Sequence, residues 1–238
     1  MLLLVWQLGS SIASTGTLPA PLAVMSVIGA EAWSGALFVN FAITLARVVA
    51  SFVLAMVLGT ALGVLMGRYK TIDRLCDPVV IVLLNLPALV VIVLAYIWVG
   101  LNEAAAIAAV VLNKLPNTAV TLREGTRALD ESLDEMARVF NLPLGAKVRH
   151  VFLPQLAPYF AAAMRSGLSL VWKIVLVVEL LGRSNGVGFE IGIAFQLFDV
   201  ARLLAYALPF VGLMLAIETL IVQPVERHVS RWRPSHGA

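Results

Sequence analysis

Six ionisable residues, Arg47, Lys114, Arg165, Lys173, Glu179 and Glu218, lie inside or beside apolar stretches of this 238-residue chain. A charge in hydrocarbon is costly and ordinarily faces a cavity or pairs with another charge. Lys114 and Arg165 are expected to snorkel, burying their stems and reaching for headgroups, and Glu218 lies near enough to a span end to do the same. Arg47, Lys173 and Glu179 remain as candidates for a translocation path, or else for interhelical ion pairs; a cationic path would suit an anionic solute. Lys173 and Glu179 are six residues apart, about 240° around a helix, so each needs its partner elsewhere. No catalytic or metal-binding set accompanies them. His150, His228 and His236 sit in polar segments without metal-ligand partners, and Cys76 is the only cysteine. No Gly-x-x-x-x-Gly-Lys-Ser/Thr loop is present to cradle a phosphate, so no cofactor is expected on this chain.

A second group is built for contact. Ser132-Leu133-Asp134-Glu135 reads as a capping box opening a short helix. Leu133, Met136, Ala137 and Phe140 follow at i, i+3, i+4, i+7, an apolar stripe that something must cover. That cover is either the protein's own spans, the headgroup layer or a partner. Asn141 suits the left-handed C-cap, and Pro143 can open a second helix running through Lys147 and Arg149 to Leu153-Pro154.

The elements that position these groups are membrane spans. The chain is 61% hydrophobic and 13% charged, with mean hydropathy +0.95, far from the roughly 25% charged residues of soluble domains. Stretches of about 20 apolar residues recur, enough for an all-α bundle of five to six spans in a single transmembrane domain over 1–238. The expected spans are 36–67, 79–99 (interrupted by Asn85 and Pro87), 104–120, 156–182 and 203–222. Residues 15–32 read as an outside connection and 68–77 as a polar loop closed by Pro78. Residues 1–8 make a poor signal peptide, and the stretch to 13 is short for a span; either a truncated first span or an upstream start would explain it. Gly59, Gly63 and Gly67 share one face and suit close helix packing in lipid. Orientation follows from basic residues. Arg68, Lys70, Arg74, Arg123, Arg127, Arg138, Lys147, Arg149, Arg227, Arg231 and Arg233 lie in three loops, against Arg183 and Arg202 in the opposite ones. The positive-inside rule then places the loop about 124–154 and the basic tail 224–238 in the cytoplasm. The net charge of +3 reflects this bias and not nucleic-acid binding, since no basic stripe interleaved with aromatics exists.

Glu135-Met136-Ala137, Asn141 and Val151-x-Leu153-Pro154 resemble the EAA loop of ABC importer permeases in every spacing. Met136 stands at the second motif position and Asn141 where glycine is usual. Residues 45–67 and 168–182 resemble the second and fifth spans of that family, and Ser184-Asn185-Gly186-Val187-Gly188-Phe189 is similar to a periplasmic Gly-Leu-Gly-Tyr-type turn. The nearest subgroup imports nitrate, sulfonates, taurine, bicarbonate or vitamin precursors. The resemblance implies a type I importer permease in a bacterial inner membrane. It implies a second permease copy, expected as a homodimer, a periplasmic or extracellular substrate-binding protein, and cytoplasmic ATPase subunits that bind the ATP. Leu133, Glu135, Met136, Ala137, Phe140, Asn141, Leu153 and Pro154 would then couple to the ATPase, with Glu135 and Asn141 fixing the bend. The alternative is an ion-coupled secondary transporter using Lys173 or Glu179 as proton carrier, a machine that needs no docking element.

Overall fold

The structure, a computed structural model, describes residues 6, 7, 9, 10 and 18–224. Most of the apolar start lies outside them, as does the tail with Arg227, His228, Arg231, Arg233 and His236. The described residues are helical, without strands. In chain order the helices are α1 (Pro21–Trp33), α2 (Ala36–Arg68), α3 (Lys70–Asn85), α4 (Ala88–Val99), α5 (Glu103–Arg127) and α6 (Glu131–Val139). Next come α7 (Leu144–Lys147), which runs on through a π-helical turn (Val148–Phe152) into α8 (Leu153–Gly182), then α9 (Val187–Gln196) and α10 (Val200–Ile217), which ends in a second π turn (Glu218–Val222). Four of these are long and apolar enough to cross a membrane: Ala36–Arg68, Glu103–Arg127, Leu144–Gly182 and Val200–Val222. A fifth is formed if α3 and α4, bent by 103° at Leu86-Pro87, count together.

Three expectations change at this level. The segment read as a polar loop closed by Pro78 is the first half of α3, with Pro78 inside the helix. The interruption expected within one span is a corner, because Leu86 precedes Pro87 and takes an extended backbone (φ −73°, ψ 128°). The outside connection contains α1, started by Pro21 and packed on α10.

The chain packs as two compact units. One comprises residues 1–50, 92–109 and 172–217. Its core gathers Leu37, Val187, Tyr206, Phe210 and Met214, with Phe41 and Trp172 edge-on to Phe210 at 5.8 and 6.1 Å. The Tyr206 hydroxyl donates to Glu31 at 2.8 Å, tying α10 to α1.

The other unit comprises 51–91, 110–171 and 218–238, around Met56, Leu122, Leu156 and Ala163. Its α2 and α5 meet along the three glycines. A Cβ on Gly59 would stand 2.6 Å from Thr118 Cβ, one on Gly63 would strike the Ala119 carbonyl, and one on Gly67 would stand 2.5 Å from Thr126 Cβ. Close approach of this kind holds helices together in lipid, where no hydrophobic driving force separates them from the solvent. Arg123 bonds Asp77 and Arg127 bonds Asp73 at 2.5 Å, fastening α5 to α3.

Candidate functional site: a bent hairpin and a buried charge network

The hairpin is set by its caps. Asp130 is the N-cap of α6 and accepts from the Ser132 amide at 2.9 Å, so the capping residue lies two positions before the expected Ser132. Hydrogen bonds from the Ser132 side chain first, and from its amide second, hold the Asp130 carboxyl below the usual carboxylate range. At the other end Asn141 takes φ 49°, the left-handed conformation expected of it. The Leu142 amide donates to Ala137 O at 2.9 Å and the Asn141 amide to Arg138 O at 3.0 Å, the paired bonds of a Schellman stop. Pro143 caps α7 from outside, and the helix then continues unbroken into α8.

The carboxylate that clamps the bend is Asp134 and not the expected Glu135. It pairs with Lys147 of α7 and with Arg138 of α6, both at 2.5 Å. The Lys147 ammonium first, then the Arg138 guanidinium, hold its carboxyl below the usual carboxylate range. A lowered folded pKa means the clamp is complete at every pH above the ordinary aspartate value and weakens only in acid below it. Glu135 is exposed and has no ion pair among the described residues; it lines a cavity of about 480 Å³ behind the hairpin with Arg68, Arg127, Asp134 and Gln155.

Leu133, Met136 and Phe140 are 36%, 44% and 71% exposed, and Leu153 is exposed beside Pro154. Ala137 is not part of that outward stripe: it is 1% exposed, turned into the protein. Val139, 77% exposed, joins the open face instead. A residue as small as Ala137 fits either side of an amphipathic boundary, and here it takes the inner one.

Elsewhere, Arg47 and Glu179 are brought together and Lys173 is left out. Arg47 of α2 donates to Glu179 Oε1 at 2.7 Å and grips Glu103 through Nε at 2.9 Å and Nη2 at 2.6 Å. It also donates to the Asn185 carbonyl at 2.9 Å and to the Asn185 side chain. The second oxygen of Glu179 accepts from the Thr44 hydroxyl at 2.9 Å and the Gly188 amide at 2.8 Å. Asn40 Oδ1 and Thr44 Oγ1 accept from the Gly186 and Val187 amides, both at 2.8 Å. The amides of Gly186, Val187 and Gly188 at the start of α9, which a helix leaves without backbone partners, are thus met by side chains of α2 and α8. Gly186 has φ 102° and a Cβ there would stand 2.5 Å from the Glu179 carboxyl, so the turn needs glycine for both conformation and space. Arg183 closes the cluster on Glu103 at 2.6 Å. The spacing of Asn40, Thr44 and Arg47 at i, i+4, i+7 in an apolar helix is the signal that would have found these partners.

Glu179 is fully buried, and both of its oxygens accept hydrogen bonds, from Arg47, Thr44 and Gly188. Lys173 is on the exposed side of α8, its ammonium 5.7 Å from the Trp172 ring centroid. Lys114 does not snorkel. It is 1% exposed, and its stem occupies the space above Gly167, where a Cβ would stand 2.9 Å from Nζ. Arg165 and Glu218 face each other at 3.8 Å. Among the described residues no cluster of three or more His, Cys, Asp or Glu could hold a metal ion.

Residues 55–231 match the family described as binding-protein-dependent transport system inner membrane component. The permease named for aliphatic sulfonates transport in Escherichia coli strain K12 is 30% identical over 98% of this chain and 89% of its own length. The one of Bacillus subtilis strain 168 is 28% identical over 99% and 86%. The bicarbonate transport permease of Synechococcus elongatus is 25% identical over 82% and 74%. In fold, the chain matches the inward-facing MetNI methionine ABC transporter with TM-score 0.66 at 20% identity, over 86% of this chain and 99% of that one. An amino acid ABC transporter matches with TM-score 0.59 at 18% identity, over 86% and 95%. A helical, multi-span chain with a capped, outward-facing hairpin at the EAA spacing, matched over most of its length, belongs to the inner-membrane permease family of ABC importers.

Proposed function

We propose that the hairpin formed by α6 and α7 is the docking element for a cytoplasmic ATPase subunit, which binds and hydrolyses the ATP that this chain does not. The open face made by Leu133, Met136, Val139 and Phe140 carries this reading. It is an apolar surface on a helix rigidly capped at both ends and clamped by Asp134, and it lies in the loop that the basic-residue count puts in the cytoplasm. Asn141 sets the bend, and Leu153 and Pro154 stand where α8 begins. A second copy of this chain completes the pathway, and a substrate-binding protein delivers the solute from the opposite face of the membrane.

The solute is a small anion. Relatives are named for sulfonates and bicarbonate transport, and Lys173 offers a cation on the exposed side of a span, a position that requires water or protein against it and not lipid. Arg47 and Glu179 serve the framework, since each is committed to the other and to the α9 turn.

Docking is tested by Met136→Glu and Phe140→Glu. Either variant would bury an unpaired carboxylate in the interface, at a cost of about 3 kcal/mol, or ~150-fold in affinity. The ATPase subunit should copurify with the wild type and be lost from both variants, while their melting in detergent stays unchanged. Full retention of the ATPase by both variants would assign the hairpin to the headgroup layer instead.

A further inference from the structure

Asn113, Asn117 and Thr121 recur at i, i+4, i+8 on α5, which places them on one face of a helix long enough to span a membrane. At 1.5 Å per residue Asn113 lies about 15 Å along the axis from Glu103, near mid-bilayer, and Thr121 about 27 Å along it. Asn117 is exposed, and Asn113 and Thr121 are partly so. Asn117 Nδ2 reaches back to the Asn113 carbonyl at 3.4 Å, and the Thr121 hydroxyl donates to the Asn117 carbonyl at 2.9 Å. Among the described residues no donor reaches Asn117 Oδ1. Leu112, 41% exposed, and Ala108, also exposed, lie on another side of the same helix, with Leu112 about 140° around from Asn117. One helix thus exposes two contrasting faces, one apolar and one carrying amide and hydroxyl groups deep in the span.

An amide carbonyl in hydrocarbon without a donor is unfavourable by several kcal/mol. The apolar face has no such need. We propose that the Asn113, Asn117 and Thr121 face of α5 is wetted and lines the solute path, with Asn117 and Thr121 presenting hydrogen-bonding groups to a polar solute in transit. This rests on the importer-permease function of the chain, and it assigns uncharged, specificity-bearing groups to this helix.

The test uses the full transporter, assembled with its ATPase in proteoliposomes, in a Cys76→Ser background. Asn117→Cys, Thr121→Cys, Leu112→Cys and Ala108→Cys are each exposed on both membrane faces to methanethiosulfonate ethylsulfonate, a charged reagent that does not enter lipid. A thiol must ionise to react, which requires water. The Asn117→Cys and Thr121→Cys thiols should be labelled at least ~10-fold faster than those of Leu112→Cys and Ala108→Cys. Equal rates on the two faces would overturn the proposal. So would an Asn117→Cys thiol that resists the reagent but forms a disulfide with its counterpart in a second copy, the mark of a dry subunit contact. Retention of the ATPase by each variant is scored separately, so that a loss of assembly is read against the docking proposal and not against the wetted face.

Discussion

Glu179→Gln and Arg47→Met remove opposite ends of the same buried ion pair, and their costs should differ. Breaking such a pair costs about 3–5 kcal/mol, because one charge is left without compensation in a medium that solvates it poorly. In Glu179→Gln the guanidinium of Arg47 keeps its two-point grip on Glu103 and its bond to the Asn185 carbonyl. The cost therefore falls near the low end, about 3 kcal/mol. Arg47→Met leaves the Glu179 carboxylate, 0% exposed, with only the neutral Thr44 hydroxyl and Gly188 amide, so about 5 kcal/mol is expected. At about 2–4 °C per kcal/mol for a chain of this size, melting of the purified permease in detergent should drop by roughly 6–12 °C and 10–20 °C respectively. The double variant should lose clearly less than the sum, since the two side chains touch. Additive losses, or a Glu179→Gln protein that melts like the wild type while failing to transport, would refute the framework role and return Glu179 to the pathway.

Gly63→Ala should lower the melting temperature by an amount equivalent to about 1–3 kcal/mol, because its methyl meets the rigid Ala119 carbonyl, whereas Gly145→Ala, with nothing within 4 Å, should be silent in the same scan. Asn141→Gly should retain the ATPase in copurification and Asn141→Val should lose it, since a β-branched residue does not tolerate φ near 49°. Ala137→Glu should reduce the yield of folded permease itself, measured by size-exclusion profile, because the side chain points inward at 1% exposure. Gly167→Ala should destabilise the permease in a melting assay unless Lys114 is shortened as well; Lys114→Ala in the same chain should recover most of the loss.

Much of this architecture is legible in the sequence because lipid imposes a coarse and unforgiving pattern. The long apolar runs of α2, α5, α8 and α10 and the glycine face of α2 follow directly from what hydrocarbon tolerates. The Asn141 stop follows from the one side chain after glycine that accepts positive φ readily. What escaped was set by partners distant in the chain. Polar residues of α3 read as a loop because their mates, Arg123 and Arg127, are some fifty residues away. Lys114 read as a snorkelling side chain because the space it fills is supplied by Gly167 on another helix. Local spacing separates Lys173 from Glu179 on α8, but that Arg47 is the mate of Glu179 depends on which helix faces α8, and local spacing does not carry that information. Ala137 departs from expectation for a narrower reason: at the rim of an amphipathic helix a small rotation decides whether a side chain is inside.

The glycine seam between α2 and α5 has a mechanical consequence. Dispersion between closely fitted surfaces falls by a quarter to a half over a gap of roughly 0.5–1 Å. A seam held at three notches, Gly59, Gly63 and Gly67, therefore does not glide. It stays in register or comes apart. The two helix segments behave as a single stiff strut, and bending within this unit falls to joints of another kind, such as the 103° corner at Leu86-Pro87.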